Sequence, residues 1–523
     1  MAGELRYLTE GEKIDRLYQE LYDQASNSRY GFSRFSMPWN AGGLAAYGKM
    51  KGDFSKTLRM FARECCVKSH LGELYMFTGK VYEKIEDSSV GEAYDMLLES
   101  FGISDAIGKP MYRDGIFIKV IKSHNRLNIR NDVVAFSNCV VDMRDLKNPV
   151  VHKHGPEYHV TDYHPYPFKK DYRSTRWEGF LREVLPDKKQ REILQMFLGL
   201  GLIQMSKSPG DEYSSERPPV QLCLLLLGSG ANGKSVLFTV MCALFGKQHI
   251  SSISYDLLTA KGEEGLRGRC PIRNAVFNWC PDTNPKTFGK CGTDEFKRIT
   301  SGEPVQYRLL QHNVMSTDSC PYLIFNLNEL PSVADNTRGF MRRLQYVNFD
   351  VTIPKARQNP NLAYELIRYD LPAIFCWVMR GAMEIKRRHF VFPNSEESHK
   401  QKVFGLFGTN PVYSWVLAYG LRGDKVVPNE ISSYIKSDSL YESFVKYYKL
   451  NNGDAEVMPS QGKFARELTR LQFERHRDSK IGLAYVVYGV TEDELKRPLL
   501  IDDISVVKAE FESDESLSYI KDD

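Results

Sequence analysis

The sequence has 523 residues, of which 42% are hydrophobic and 26% are charged, and its formal net charge is +4. This length predicts about two to four domains of ordinary globular composition, and no apolar run is long enough to span a membrane or to form a secretory signal. The small net charge excludes a protein that binds any polyanion through its overall charge, so DNA binding would need positive charge gathered locally or by oligomerisation. The ten cysteines lack disulfide or zinc spacing, which predicts reduced thiols and a cytoplasmic location.

The first part of the chain predicts two regions and a linker. Residues 1–70 indicate a helical extension, with a helix over 54–67. Residues 71–205 indicate an α/β accessory domain with a β-like run over 131–141. The next segment, 206–219, reads SKSPGDEYSSERPP, which is polar and rich in breakers and therefore typical of an exposed linker.

A phosphate-binding loop follows this linker. Residues 222–227 form a continuous apolar run, as expected for a buried parallel strand, and apolar positions after 235 recur at helical spacing. The intervening sequence GSGANGKS is a full match to the Walker A pattern. The loop comprises Gly228, Ser229, Gly230, Ala231, Asn232, Gly233, Lys234 and Ser235.

The chemistry of this loop predicts ATP and Mg²⁺ as cofactors. Its glycines let backbone N–H groups wrap a phosphate at a helix N-terminus. Lys234 would reach the β- and γ-phosphates, and the Ser235 hydroxyl would hold magnesium. The same glycines also fit a dinucleotide-binding pattern with Asp256 as the ribose acid, but that reading gives Lys234 and Ser235 no role.

An ATPase also needs an acid that serves magnesium and water. Asp282 follows the apolar stretch 275–280 and is the first candidate, although Asn278 interrupts the stretch and the segment could be a simple turn. Asp294 and Glu295 are fallback acids, but they open an amphipathic helix and have the character of helix-start acids.

A polar sensor and an arginine complete the expected set. Asn328, in PYLIFNLNELP, ends an apolar strand where open α/β sheets hold ligands, and Asn326 competes with it. Arg342 and Arg343 precede an apolar strand and are candidate arginine fingers supplied by a neighbouring subunit. A turn-capping amide and a solvated strand edge are the alternative readings of these residues.

The ordered series of motifs resembles the superfamily 3 helicases, in particular the primase-helicase type of phages, plasmids and large DNA viruses. After the Walker A loop come Asp282, FKRITSGEP over 296–304, NELP over 328–331 and DNTRGFMRRL over 335–344. The resemblance covers about 70–490, and FSNCVVD over 136–142 is similar to part of the family's accessory domain. The first 70 residues are too few for an archaeo-eukaryotic primase, so we expect a helicase without a fused primase.

The resemblance implies an α/β architecture in which an AAA+-like P-loop ATPase core over 220–390 follows an α/β N-terminal domain. A winged helix over 391–495 and an acidic tail over 496–523 would complete the chain. It further implies a ring, hexameric in this family, that translocates on single-stranded DNA from 3′ to 5′. A separate primase or polymerase is an open partner, and the host-cell cytoplasm is the expected location for a viral or phage protein.

Two segments are candidate DNA contacts. The resemblance implies a hairpin over 305–314 that projects into the ring channel, where Arg308 and His312 could meet phosphate and Tyr307 could stack. In the predicted winged helix, Lys463, Arg466 and Arg470 lie at the spacing of a recognition helix. Scattered polar residues on a solvated surface would explain either pattern equally.

Two other classes of function remain open from the sequence. A nucleotide-switched DNA-binding or origin-loading factor would tolerate the irregular segment around Asp282 and separate no strands. A small-molecule kinase is disfavoured by the flanking domains and the paired arginines.

Overall fold

The computed structural model describes residues 8–30, 32–36, 43–103, 115–205, 220–284, 288–289, 291–310, 312–317, 320–331, 338–393, 411–423, 433–452, 458–471, 473–478, 482–488 and 490–496. The predicted linker at 206–219 and the acidic tail beyond Lys496 lie outside these residues, as do 335–337 of the segment that precedes the paired arginines.

The described chain alternates helices and strands. The helices are α1 Glu10–Ala25, α2 Gly43–Glu64, α3 Asp87–Ser100, α4 Ile116–His124, α5 Thr175–Val184, α6 Lys188–Met205, α7 Lys234–Phe245, α8 Tyr255–Thr259, α9 Gly262–Gly268, α10 Thr293–Ser301, α11 Arg338–Met341, α12 Leu362–Tyr369, α13 Leu371–Arg387, α14 Pro411–Ala418, α15 Ser437–Asn452 and α16 Gln461–Arg470. The strands are β1 Lys68–His70, β2 Glu73–Phe77, β3 Tyr82–Ile85, β4 Val133–Phe136, β5 Val140–Asp142, β6 Val150–His152, β7 Tyr163–His164, β8 Cys223–Leu227, β9 Ile250–Ser251, β10 Phe277–Cys280, β11 Gln306–Tyr307, β12 Met315–Ser316, β13 Tyr322–Leu327, β14 Leu344–Asn348, β15 Ser433–Lys436, β16 Arg475–Asp478 and β17 Gly482–Val487. None of the helices within these residues combines the length and apolarity needed to cross a membrane.

The chain divides into two compact units, each built from several segments. The first comprises Met1–Val220, Ser235–Ile250 and Lys355–Pro393. The second comprises Gln221–Lys234, Ser251–Pro354 and Asn394–Asp523.

The first unit contains a helical core and two small sheets. Aromatic and aliphatic residues of α1 to α4 form one buried cluster, next to the antiparallel sheet β1-β2-β3. A four-stranded sheet has the order β6-β5-β4-β7. The single β-like run expected over 131–141 is a pair of antiparallel strands, β4 and β5, because the chain reverses between Phe136 and Val140.

The carboxyl end of α7 is tied to the segment around β7. The Leu244 carbonyl accepts hydrogen bonds from His164 Nδ1 at 2.8 Å and from the Tyr166 hydroxyl at 3.0 Å. Just beyond the helix, His249 Nε2 lies 3.1 Å from Asp162 Oδ1. These contacts satisfy a carbonyl that the helix itself leaves without a partner.

A close helix crossing joins α6 to α13. A Cβ added at Gly199 would lie 2.3 Å from the Ala382 backbone nitrogen, and one added at Gly381 would lie 2.1 Å from the Gln195 carbonyl oxygen. The two helices therefore approach at positions that only glycine permits. Gln195 Nε2 also donates to the Trp377 carbonyl at 2.7 Å.

The second unit is organised around a five-stranded sheet with the order β14-β8-β13-β10-β9. Strands β14, β8, β13 and β10 run parallel to one another, and every one of their residues is buried. Their continuous apolar character follows from burial on both faces. The strand predicted over 222–227 is confirmed as β8, between β13 and β14.

The last described segments form a small domain in the order α14, β15, α15, α16, β16, β17. The strands make an antiparallel sheet, β15-β17-β16, and Trp415, Phe444, Phe464 and Tyr485 belong to one core. The helix expected from the spacing of Lys463, Arg466 and Arg470 is confirmed as α16. The sequence missed β15 and β16, because these edge strands carry mostly polar residues, as in the RHRD of β16. Ser460 is at the N-cap of α16, but its side chain makes no capping bond.

The α6–α13 crossing generates a prediction about stability. Gly199→Ala should lower the free energy of unfolding by about 1–3 kcal/mol or more, because the new methyl group overlaps backbone that cannot move freely. Gly179→Ala is the matched control: Gly179 lies in α5 with nothing within 4 Å of an added Cβ, so alanine should raise helix stability by about 1 kcal/mol. Chemical denaturation of both variants checks this, and equal stabilities would refute the close crossing.

Candidate nucleotide-binding site

The predicted loop leaves the carboxyl end of β8, in the middle of the parallel sheet. Leu227 is in register with Leu327 of β13 and Asn348 of β14, and the Gly228 N–H donates to the Leu327 carbonyl at 3.0 Å. The strand–loop–helix order predicted from the sequence is therefore confirmed. Open α/β sheets hold their ligands at this edge.

The loop backbone has positive φ values at three positions, a pattern found in loops that bind anions. Gly230, Ala231 and Gly233 have φ values of 113°, 49° and 87°. Ala231 adopts this strained conformation while its carbonyl accepts from the Ile353 N–H at 2.9 Å. A Cβ added at Gly230 would meet nothing within 4 Å, so space beside the loop is open. Such turns aim successive N–H groups at a common point.

Gly228 is required by a close approach. An added Cβ would lie 2.2 Å from Asn232 Nδ2 and 2.5 Å from the Phe349 carbonyl oxygen. Asn232 is buried, and its amide donates to the same Phe349 carbonyl at 3.1 Å. The loop is thus fastened to the chain that follows β14. Ser229, Ala231 and Ser235 are exposed at its outer side.

Lys234 is a buried cation. Its residue is only 6% exposed, its Nζ donates to the Gly228 carbonyl, and none of the described carboxylates forms an ion pair with it. Burial lowers the pKa of the Lys234 ammonium. A buried charge that lacks a counter-ion is costly, and an anion entering the loop would compensate it.

Asp282 and Asn328 lie at the same edge as the loop. Asp282 is two residues beyond β10, Asn328 directly follows β13, and both are exposed. Because β10, β13 and β8 are adjacent and parallel, their carboxyl ends carry Asp282, Asn328 and Gly228 side by side. Carboxylate, amide and hydroxyl oxygens are suitable ligands for Mg²⁺ and for a water molecule.

The competing residues have structural partners. Asn326 is buried and its Oδ1 accepts from Trp279 Nε1 at 3.0 Å. Asn278 is fully buried: its Oδ1 accepts from Ser251 Oγ and from the Ile253 N–H, both at 2.9 Å. The residue that interrupts the apolar stretch before Asp282 therefore fastens β10 to the chain around β9.

The fallback acids open a helix, as expected from their pattern. Asp294 and Glu295 are in the first turn of α10, and Glu295 pairs with Arg298 at 3.2 Å. Both acids therefore belong to a helix start, whereas Asp282 lies two residues beyond the end of β10.

Thr283 is a residue that the sequence reasoning missed. Its N–H donates to the Asn326 carbonyl at 3.2 Å, but its buried hydroxyl has no hydrogen-bond partner among the described residues. A buried hydroxyl without a partner is unfavourable for folding alone. No local sequence signal marks it, apart from its place directly after Asp282.

The two candidate finger arginines differ in their surroundings. Arg343 is buried, and its guanidinium donates to Ser301 Oγ at 2.8 Å and to the Gly339 carbonyl. Burial and the neighbouring Arg342 lower the pKa of Arg343. Arg342 is exposed and donates to Gln221 Oε1 at 3.1 Å. Of the two side chains, that of Arg342 is the one accessible at the surface.

The predicted hairpin is confirmed as the antiparallel pair β11–β12, with Tyr307 opposite Met315. Tyr307 is half-buried, whereas His312 is exposed near the tip. Arg308 is held by Glu263 of α9 at 2.6 Å, so a phosphate would have to compete with this ion pair.

In the C-terminal domain Lys463 and Arg466 are exposed on α16, and the Arg470 side chain lies outside the described residues.

Comparisons with known proteins relate part of this chain to characterised groups. Residues 114–186 match the family described as D5 N terminal like. Over 174 residues, 33% of this chain, the sequence is 28% identical to the Acanthamoeba polyphaga mimivirus protein named Putative helicase L207/L206, and the match spans 17% of that protein's length. Two apo structures of the NrS-1 C terminal region align with 81% of this chain and 96% of their own at 10% identity, with TM-scores of 0.39 and 0.43. Alignments this weak do not establish a common fold.

The burial of Lys234 generates a prediction about ligand binding. Lys234→Met should leave the free energy of unfolding unchanged or raise it, because the substitution removes an uncompensated buried charge. ATP and Mg²⁺ should stabilise the wild type by about 2.7 kcal/mol when the ligand is 100-fold above its Kd, and this appears as a rise in Tm. The Lys234→Met variant should show no such rise. Lys247→Met is the control: Lys247 is exposed two residues beyond the end of α7, and this variant should respond to nucleotide like wild type. A full nucleotide-induced shift in Lys234→Met would contradict the assignment.

Proposed function

We propose that this protein is an ATP-dependent DNA helicase of the superfamily 3 type that acts in DNA replication. The observation that carries the proposal is the buried Lys234 ammonium inside a phosphate-binding loop, at the sheet edge where Asp282 and Asn328 also lie. The match to the D5 N terminal like family and the helicase-named viral relative support the same role.

The residues of the site fit ATP and Mg²⁺. The loop N–H groups and Lys234 bind the β- and γ-phosphates, and they neutralise charge that develops during phosphoryl transfer. The Ser235 hydroxyl and the Asp282 carboxylate supply oxygen ligands for Mg²⁺, which when bound offsets negative charge on the phosphates. Asn328 orients the attacking water, and Thr283 contributes a hydroxyl beside Asp282.

The proposal includes a ring of identical subunits, hexameric as in the family that the motifs resemble. An exposed Arg342 reaches the γ-phosphate of the neighbouring subunit, so hydrolysis depends on assembly. A ring also brings several copies of a nearly neutral chain around one strand, which concentrates the local positive charge that DNA requires.

Two elements contact DNA in this proposal. The β11–β12 hairpin enters the channel with His312 at its exposed tip, and Tyr307 supports it. Arg308 contacts a DNA phosphate once that phosphate has displaced Glu263, its ion-pair partner in the structure. The C-terminal order of helix, strand, two helices and two strands fits a winged helix, with Lys463 and Arg466 on the second of the paired helices.

Translocation from 3′ to 5′, a separate primase or polymerase partner, and a host-cell cytoplasmic location complete the proposal. They rest on the resemblance to superfamily 3 helicases and on the viral relative.

The second candidate function is a nucleotide-switched loading factor. It would use the same phosphate-binding loop as a helicase, but it would not separate DNA strands.

A strand-separation assay tests the proposal. With ATP and Mg²⁺, the wild type should release the labelled strand of a duplex that carries a 3′ single-stranded tail, and not of one with a 5′ tail. Arg342→Ala should abolish release while its Tm stays at the wild-type value, because Arg342 is exposed. Arg343→Ala is the comparison: it should lower stability by about 1–3 kcal/mol, since buried partners are left unsatisfied.

Hydrolysis of ATP without strand release from either duplex would contradict the helicase assignment and favour the loading factor. Full activity of Arg342→Ala would contradict the arginine-finger role alone.

A further inference from the structure

Two exposed tyrosines of the first unit belong to the same short helix, α12, Tyr364 in its first turn and Tyr369 at its last position. Among the described residues four tyrosines are exposed, and two of these, Tyr364 and Tyr369, belong to α12. Tyr364 is 58% exposed and Tyr369 is 56% exposed. Rings that remain this accessible contribute little to the core and are available to a ligand.

Arginines alternate with these rings. The Arg368 Cζ lies 5.8 Å from the Tyr364 ring centroid and 5.5 Å from that of Tyr369. The Arg176 Cζ lies 5.7 Å from the Tyr369 centroid on α12. Arg176, Tyr369, Arg368 and Tyr364 thus form a continuous series of cation–π contacts, which we call the arginine–tyrosine ladder.

Hydrogen bonds hold the ladder in place. The Asp370 carboxylate accepts from Arg176 Nη1 at 3.0 Å and from Ser174 Oγ at 2.8 Å. At the other end, Arg368 Nη1 donates to the Tyr364 hydroxyl at 2.5 Å. Both ends are therefore ordered before any ligand arrives, which reduces the entropy that binding costs.

A second cation–aromatic pair belongs to the same packing region. The Lys169 Nζ lies 4.4 Å above the ring of Tyr172, which is 39% exposed. The backbone carbonyl of Lys169 accepts a hydrogen bond from the Cys376 thiol of α13 at 2.9 Å. Helix α13 begins at Leu371, two residues after Tyr369. Three of the four exposed tyrosines among the described residues therefore have a cation within about 6 Å of the ring centroid.

We propose that the arginine–tyrosine ladder is a binding site for single-stranded DNA. Exposed rings bind unpaired bases by stacking regardless of sequence, and interleaved guanidinium groups bind the phosphates between the bases. The pattern favours a single strand over a duplex, because paired bases do not offer their faces. The inference rests on the proposed function for DNA as the partner, and it adds a contact separate from the β11–β12 hairpin and α16.

Binding of fluorescein-labelled oligothymidylate to the full chain, measured by anisotropy, tests the site. The double variant Tyr364→Ala, Tyr369→Ala should bind roughly 10-fold or more weakly, since stacking of each base is lost. The double variant Tyr364→Phe, Tyr369→Phe keeps both rings and should bind within about 2-fold of wild type. Hydrolysis of ATP in the absence of DNA should be the same in all three proteins.

Arginine variants separate the ladder from general charge. Arg368→Ala should weaken binding and make it less sensitive to salt, because a phosphate contact is lost. Arg387→Ala is the matched control: its side chain is 69% exposed and pairs with Glu384, and it should bind like wild type. Equal weakening by both arginine variants would overturn the ladder as a specific site.

Two other results would overturn the inference. Unchanged affinity of the double alanine variant would show that the ladder does not bind DNA. A changed oligomeric state with unchanged affinity would show that it joins copies of this chain. If the wild type itself fails to bind single-stranded DNA, the proposed function fails first, and this result is distinct from the other two.

Discussion

The uncompensated charge of Lys234 is the constraint on which the site depends. An ammonium buried beside one carbonyl oxygen loses most of its hydration, and such a loss costs several kcal/mol unless an anion replaces the water. The positive φ of Ala231 and the close approach at Gly228 are further costs in the same loop. These three costs are why we propose an anionic ligand for the loop, and the placement of Asp282 and Asn328 at the same sheet edge is why we propose that this ligand is a nucleotide with Mg²⁺.

The parts of this site that follow from local sequence could be predicted. A continuous apolar run becomes a buried parallel strand, and a polar residue directly after such a strand lies at the carboxyl edge. The positions of the loop, Asp282 and Asn328 at this edge could therefore be predicted from pattern alone. Contacts between distant positions could not be found in this way. Arg343 binds Ser301, and Arg308 binds Glu263. Neither Ser301 nor Glu263 has a sequence spacing that signals its arginine partner. The sequence therefore could not show that Arg342 is exposed and Arg343 is buried.

The same limit applies to the interrupted strand before Asp282. From the sequence, Asn278 weakens the expected pattern of an acid after an apolar strand. In the structure its amide makes three hydrogen bonds to Ser251 and Ile253, so it replaces apolar packing with a specific connection between strands. At the other end of α7, Leu244 is held by His164 and Tyr166, which belong to the segment that matches the D5 N terminal like family. The last turn of α7 is thus fixed by side chains of the matched segment, a contact between residues some 80 positions apart that no local pattern signals.

Steady-state ATP hydrolysis with and without single-stranded DNA, for wild type and Lys234→Ala, tests the central claim most directly. The account predicts that wild type hydrolyses ATP, that DNA stimulates the rate, and that Lys234→Ala abolishes hydrolysis while remaining folded. If wild type hydrolyses no ATP under either condition, or if Lys234→Ala retains the wild-type rate, the loop is not the catalytic nucleotide site and the helicase account is wrong.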